Sequence, residues 1–109
     1  MAYDDGHAEI LRELLADTDG ITERKMFGGL CFMQNGHMLC GVHKGGGMFR
    51  VGKENEVAAL AVNGVDPLSF TGRKMGGMVD ISDDTLGDDA ALKALLALSR
   101  SFVGQMPAK

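Results

Sequence analysis

Residues 29–42 read GLCFMQNGHMLCGV, two apolar runs separated by Asn35-Gly36. Asn-Gly between such runs is the strongest short signal of a β-hairpin, because a type I′ turn needs positive φ at both central residues. Both runs are rich in residues that pack on a sheet, and neither contains proline. We therefore expect an antiparallel hairpin as the centre of the fold.

The residues on either side of this hairpin predict a sheet in the middle of the chain and helices at its ends. Twelve of the 16 glycines and six of the 8 methionines fall between residues 26 and 78, and Gly favours turns and bulges. The apolar residues that flank this region repeat at helical spacing. The expected helices are at about 6–17, 54–62 and 88–103, and the expected strands at 29–34, 37–42, 48–51, 68–71 and 77–81. The order α-βββ-α-ββ-α predicts a two-layer α+β fold, with a mostly antiparallel sheet and helices packed on one face.

The length of 109 residues predicts one domain, residues 1–109. No apolar run approaches the roughly 18 residues needed to cross a bilayer, and the first residues lack the basic and apolar regions of a signal peptide. We therefore expect a cytoplasmic protein. The net charge of −4 argues against general nucleic-acid binding. Residues 21–79 nevertheless carry seven basic and four acidic side chains, so direct binding through this stretch stays open.

The two cysteines, Cys31 and Cys40, face each other in the register that a two-residue turn imposes. They would form a non-hydrogen-bonded pair with Cα atoms about 4.5 Å apart, at the short edge of disulfide geometry. We interpret them as small buried hydrophobes, with a redox pair as the alternative. Strand alternation places both cysteines on one face and His37 and His43 on the other, which argues against a zinc site. We expect neither a metal site nor a cofactor.

Both faces of the hairpin are apolar near its middle, whereas a sheet with one solvated face alternates between apolar and polar residues. Helices cover one face, and the other face needs a second cover. A symmetric homodimer through the exposed face supplies it economically. The candidate dimer contacts are Leu30, Phe32 and Leu39.

A short motif occurs twice: residues 24–29 read RKMFGG and residues 73–77 read RKMGG. Each places two cations just before Gly-Gly at the entrance of a strand. Consecutive glycine N–H groups form anion-binding concavities, and Arg binds phosphate or carboxylate through two hydrogen bonds. The alternative is that the glycines form bulges and the cations are solvated edge residues. The candidate residues for binding an anion or a partner are Arg24, Lys25, Gly28, Gly29, Arg73 and Lys74.

Catalytic motifs are missing from the sequence. Residues 47–54 read GMFRVGKE and match a phosphate-binding loop until Glu54, which stands where that loop needs Ser or Thr. We interpret its four middle residues, 48–51, as a strand. No nucleophile elbow, zinc-protease motif or C-x-x-C is present. We therefore expect a protein that is not an enzyme.

Four segments carry a family resemblance: 24–32 (RKMFGGLCF), 36–42 (GHMLCGV), 50–52 (RVG) and 70–75 (FTGRKM). Together they resemble the N-terminal domain of the TfoX/Sxy family, over about residues 7–109. The resemblance implies a two-layer α+β domain and a role like that of the bacterial competence regulators, which are accessory factors in transcription. Longer members add a C-terminal helical domain, so the chain resembles a short stand-alone member. The family brings no catalytic residues to transfer.

The function expected on these grounds is a non-catalytic regulatory or protein-interaction domain. The alternative is a small-anion or nucleotide-binding module that uses the paired Arg-Lys/Gly-Gly segments.

Overall fold

The computed structural model of the protein describes residues 5–26, 29–43, 45–70 and 73–106, without the side chains of 26, 68–70 and 73–76. The helices are α1 (Asp5–Leu14), α2 (Glu56–Leu60), α3 (Asp83–Leu86) and α4 (Asp89–Val103), and a 3₁₀ turn covers Lys53–Asn55. The strands are β1 (Ile21–Met26), β2 (Gly29–Gln34), β3 (His37–His43), β4 (Gly46–Arg50), β5 (Val65–Phe70) and β6 (Arg73–Ser82).

The six strands form one antiparallel sheet in the order β1-β2-β3-β4-β6-β5. Helices α1 and α4 pack against β3, α3 and α4 against β4, and α2 and α3 against β6. All of them contribute to a layer on one face of the sheet. The predicted α+β class and two-layer arrangement are confirmed.

The hairpin turn forms as predicted. Asn35 has φ 53° and Gly36 has φ 88°, the two positive values that a type I′ turn requires. Gln34 pairs with His37 directly beside the turn. The local sequence therefore determines where β2 ends and β3 begins.

The predicted register also holds for Met33 and Met38, and it fails at the next residue, Phe32. Phe32 pairs with Cys40, and Cys31 pairs with Gly41. Leu39 is an extra residue in β3, so Leu39 and Cys40 together oppose Phe32 in a β-bulge. Both of these side chains join the core under the helices. Cys31 and Cys40 consequently lie on opposite faces of the sheet, contrary to the prediction.

Two buried clusters lie on the two faces of the sheet. The larger one joins the helices to the sheet, and its strand residues include Phe32, Leu39, Phe49 and Val79, all at most 1% exposed. The smaller one, on the opposite face, is here called the methionine cluster. Its members are Cys31, Met33, Met38, Met48 and Met78.

The methionine cluster is buried within the single chain, since Met48 is fully buried and Met78 is 8% exposed. Among the described residues the one large hydrophobic side chain that is exposed is Val57, at 80%. The open apolar face that suggested a homodimer is therefore not found in the described part of the chain. The homodimer itself stays a prediction.

The last helix follows its predicted pattern. Asp88 accepts a hydrogen bond from the backbone N–H of Ala91 at 3.2 Å, which caps the first turn of α4. Leu92, Leu95 and Leu96 are buried against the sheet. No helix in the described ranges is both long and apolar enough to cross a membrane.

Strand β1 and helix α3 were not predicted. Residues 22–25 of β1 are all exposed, so the strand has no apolar alternation by which the sequence would reveal it. Helix α3 is a single turn that starts after Ser82, whose hydroxyl accepts a hydrogen bond from the N–H of Thr85. Both are short polar elements whose conformation depends on neighbouring elements.

Candidate functional site

The first predicted Arg-Lys/Gly-Gly segment lies at one edge of the sheet. Arg24 and Lys25 are exposed on β1. Gly29 starts β2 and is buried, and a Cβ placed on it would lie 2.0 Å from the carbonyl oxygen of Val42. This glycine allows the close approach of β3, so its role is structural. Gly28 lies outside the described residues.

The second segment is far from the first. Arg73 and Lys74 start β6, and their side chains lie outside the described part of the structure. Three strands separate β1 from β6. The row of paired residues that runs across the sheet from Arg24 on β1 reaches β6 at Asp80. Along β6, Asp80 is roughly 20 Å from Lys74, at about 3.3 Å per residue. The two segments therefore do not meet in one site, and anion binding at either segment alone stays a prediction.

The cysteines do not form the predicted redox pair. Cys31 belongs to the methionine cluster and Cys40 to the helix-side core, and both are fully buried free thiols. Burial raises the pKa of both thiols, and the nearby Cys31 raises that of Cys40 further. A buried neutral thiol is a poor nucleophile and a slow partner in disulfide exchange. The interpretation of Cys31 and Cys40 as two small buried hydrophobes fits this geometry, whereas the alternative redox pair does not.

The predicted dimer contacts are also buried within one chain. Leu30, Phe32 and Leu39 are 4%, 1% and 0% exposed and pack under the helices. A second copy has no access to them while the helices are in place. Their assignment as dimer contacts is therefore wrong.

The bulge also changes the face of the sheet on which His43 lies. It lies two residues beyond Gly41, the partner of Cys31, and so shares a face with Cys31. Its Nε2 is 2.5 Å from Oδ1 of Asp80 and 3.1 Å from the carbonyl oxygen of Gly47. Within the described ranges no group of three or more His, Cys, Asp or Glu side chains is placed to hold a metal ion.

A cavity of about 370 Å³ lies where the end of β4 meets β6 and the end of α4. We call it the β4–α4 cavity. Its lining residues are Arg50, Gly52, Lys53, Glu54, Gly77, Phe102 and Gln105. Of residues 47–54, which match a phosphate-binding loop until Glu54, residues 47–50 lie in strand β4 and residues 53–54 in the 3₁₀ turn.

Two glycines shape one wall of the β4–α4 cavity. The N–H groups of Val51 and Gly52 both donate to the carbonyl oxygen of Gly77 at 2.9 Å, which fixes β4 against β6. Gly52 has φ 84°, and a Cβ placed there would lie 2.3 Å from the ring of Phe102. Gly77 has φ 80° and lies against the backbone of residues 52 and 53. The absence of side chains on both glycines lets the Phe102 ring and the backbone of residues 52 and 53 approach closely at this wall.

The charged groups of the cavity have no ion-pair partners in the described structure. The Arg50 guanidinium lies 5.4 Å from the centroid of the Phe102 ring, a cation–π distance. No salt bridge within the described ranges involves Arg50, Lys53 or Glu54. Two cations and one carboxylate leave one net positive charge beside an aromatic ring.

The outer edge of β1 is a second functional candidate. Asn35 donates its N–H to the carbonyl oxygen of Gly20 at 3.0 Å. Gly20 and Asn35 are thus a hydrogen-bonded pair directly next to the pair Ile21 and Gln34. Because antiparallel pairs alternate, the backbone groups of residues 22 and 24 point to β2. Those of residues 21, 23 and 25 point away from the sheet, where β1 has no neighbour. We call this row the β1 edge.

On the β1 edge, the acidic side chain forms an ion pair in the described structure and the basic side chains do not. Arg12 of α1 donates two hydrogen bonds to the carboxylate of Glu23, each 2.8 Å long. Arg12 also bonds Glu9, one turn earlier in the helix. No salt bridge of the described residues involves Arg24 or Lys25. The edge therefore presents two uncompensated cations together with outward-pointing backbone groups.

Comparison with protein-family models matches residues 13–103 to the TfoX N-terminal domain. Comparisons with curated proteins and with solved structures gave no match. The matched range includes both the β1 edge and the β4–α4 cavity.

Proposed function

The chain belongs to the TfoX N-terminal domain family, and from this premise we propose that it is a non-catalytic regulatory domain that acts by binding a protein partner along the β1 edge. The observation that carries the proposal is a strand that ends the sheet, whose outer backbone groups have no strand partner in the described part of the chain and whose residues 22–25 are exposed on both faces. A free edge of this kind binds an extended segment by adding it as another strand.

The chemistry of the edge selects the partner. Arg12 neutralises Glu23, whereas Arg24 and Lys25 stay uncompensated, so an acidic extended segment is favoured over a basic one. Main-chain hydrogen bonds to residues 21, 23 and 25 supply affinity, and the alternate side chains supply selectivity. The expected partner is a protein of the transcription machinery or one of its regulators, as the family resemblance implies.

The experiment uses proline to block the edge without breaking the sheet. Lys25→Pro removes one outward N–H, whereas no ladder hydrogen bond depends on that group. Lys25→Ala removes the same charge and keeps the N–H, so it is the matched control. Comparison of the two variants separates backbone pairing from charge attraction.

The readout is site-specific photo-crosslinking inside the host cell. A photoreactive residue in place of Thr22 should give one discrete adduct, weakened in Lys25→Ala and lost in Lys25→Pro. The same residue in place of Lys93, which is exposed on α4, should give no such adduct. An adduct that persists in Lys25→Pro, or that forms equally from both positions, contradicts the proposal.

The regulatory role needs its own readout. In a strain that lacks the gene, the wild-type protein should restore the transcript profile fully. Lys25→Ala should restore it in part. Lys25→Pro should not restore it, although its melting curve stays close to that of wild type. Full restoration by Lys25→Pro, or an unchanged transcript profile in the deletion strain, refutes the role.

A further inference from the structure

We propose that the β4–α4 cavity binds a small aromatic monocarboxylate. This inference goes beyond the proposed function, because the cavity and the β1 edge share no residue. The family match assigns no ligand to these positions, and the evidence is the shape, charge and aromatic lining of the cavity.

The size of the cavity fits a one-ring molecule. Its 370 Å³ lies near the lower end of the range found for small-molecule sites, about 300 to 1,000 Å³. It is a cleft between three elements, two of which, β4 and β6, are fixed to each other because both backbone donors of residues 51 and 52 bond Gly77. A preformed cleft loses little entropy when it binds a ligand.

The aromatic lining favours a planar ligand. Gly52 and Gly77 line the cavity, and the ring of Phe102 packs directly on Gly52. An aromatic ring inserted beside Phe102 gains stacked or edge-to-face contact. The guanidinium of Arg50 is itself planar and stacks on aromatic faces, so it accepts a ring on the side away from Phe102.

The charges select one negative group. Arg50 and Lys53 have no carboxylate partner in the described structure, and Arg binds a carboxylate through two parallel hydrogen bonds. Glu54 lines the same cavity and disfavours a second negative charge by repulsion. The carboxamide of Gln105 adds a neutral donor and acceptor at the mouth. Together these groups match a monoanion better than a phosphate dianion.

The proposal is tested by titration of the ¹⁵N-labelled protein with benzoate and with three comparison compounds: benzyl alcohol, inorganic phosphate and adenosine monophosphate. Benzoate should shift the amide signals of Gly52, Gly77 and Gln105 saturably, with a dissociation constant of about 1 mM or tighter. Benzyl alcohol has the aromatic ring without the negative charge, so it tests the contribution of the charge. Inorganic phosphate has negative charge without the ring, so it tests the contribution of the ring. Each should bind at least about tenfold more weakly than benzoate.

Variants connect the binding to the cavity. Lys53→Gln removes an exposed cation, and Arg50→Gln removes the guanidinium, so each should weaken benzoate binding about tenfold. Arg100→Gln is the matched control, since Arg100 is an exposed cation of α4 outside the cavity lining and its loss should leave binding unchanged. Because Lys53 is exposed, its variant keeps the test valid if Arg50→Gln does not fold.

Three outcomes overturn the proposal. The first is the absence of saturable shifts at these amides up to about 20 mM benzoate. The second is equal weakening by Arg100→Gln and Lys53→Gln, which would indicate general charge attraction. The third is tighter binding of adenosine monophosphate than of benzoate, which would assign the cavity to dianionic nucleotides. None of these results depends on the crosslinking experiment, and Lys25→Pro should bind benzoate like the wild type.

Discussion

Arg12 of α1 and Glu23 of β1 form a two-point salt bridge, with the guanidinium Nε and Nη2 each 2.8 Å from one carboxylate oxygen. It connects the first helix to the edge strand of the sheet. Both side chains are 39% exposed, so water screens the pair and its contribution to stability is small. It joins the polar strand β1 to α1, whereas the register of β1 is set by its pairing with β2.

We expect the stability of the Arg12–Glu23 pair to depend on pH. The hydrogen bonds from Arg12 hold the pKa of Glu23 below its ordinary value near 4.5. A carboxyl group with a depressed folded pKa stabilises the fold above its unfolded pKa, and this stabilisation is lost as the pH falls through the folded value. Arg12→Ala should therefore lower the melting temperature slightly at pH 7 and by less at acidic pH.

Thermal unfolding at pH 7 and pH 3, followed by circular dichroism, measures this difference. Glu13→Gln is a suitable control, because Glu13 is exposed on α1 and forms no salt bridge in the described structure. A deficit of Arg12→Ala that grows on acidification would show that the pair does not act through the Glu23 carboxylate.

Gly52 and Gly45 give a matched pair of substitutions. Both have positive φ, 84° and 92°, but a Cβ on Gly52 meets the Phe102 ring at 2.3 Å whereas a Cβ on Gly45 has nothing within 4 Å. Gly45→Ala should reduce the free energy of unfolding by about 1–2 kcal/mol, from backbone strain alone. Gly52→Ala should reduce it by about 3 kcal/mol or more, because the clash adds to the strain. Urea denaturation measures both values.

Removal of the ring should relieve part of the Gly52 clash. In a double-mutant cycle, Gly52→Ala should cost less in the Phe102→Ala background than in the wild type, by at least about 0.5 kcal/mol. Additive effects would mean that the alanine methyl group does not press on Phe102. The same cycle shows whether the wall of the β4–α4 cavity depends on this contact.

Phe32→Ala tests the place of the predicted dimer contacts. Phe32 is 1% exposed under the helices, so its truncation should reduce the free energy of unfolding by about 3–5 kcal/mol. The loss should be the same at low and high protein concentration, because the contacts lie within one chain. Met33→Ala should cost less, since Met33 is partly exposed. A loss that varies with concentration would restore Phe32 as a dimer contact.

The buried thiols should not react with thiol reagents or mild oxidants in the native protein. Because burial raises the pKa of Cys31 and Cys40, Ellman's reagent at pH 8 should label neither residue until denaturant is added. Mild oxidant should leave the mass of the native protein unchanged, without the loss of about 2 Da that a disulfide brings. Rapid labelling of either cysteine in the absence of denaturant would contradict this burial.

The sequence predicts features that depend on local chemistry. The Asn35-Gly36 turn and the helix at 88–103 are each specified by neighbouring residues, and both form as expected. Strand β1 is missed because residues 22–25 are polar on both faces and are held in place mainly by pairing with β2. The bulge is missed because Leu39 is as apolar as its neighbours, so the pattern does not reveal which residue is extra.

The functional regions are harder to predict because they are assembled from distant residues. The repeated Arg-Lys/Gly-Gly motif suggests one site, yet the strand order places its two copies at different parts of the sheet. The β4–α4 cavity joins residues 50–54 to Gly77 and to the end of α4, more than 20 positions apart in each case. Its local feature is the pair of glycines with positive φ, and the sequence shows the glycines but not their φ angles.

The two free edges of the sheet are chemically unequal, and this limits how far the protein can polymerise. The edge at β1 has outward N–H and C=O groups, whereas β5 at the other edge contains Pro67, which has no N–H to offer, and an irregular register beside it. Copies stacked β1 onto β5 would extend without end into a fibre. Pro67 obstructs such stacking, so we expect the strand addition proposed at β1 to produce a complex of finite size.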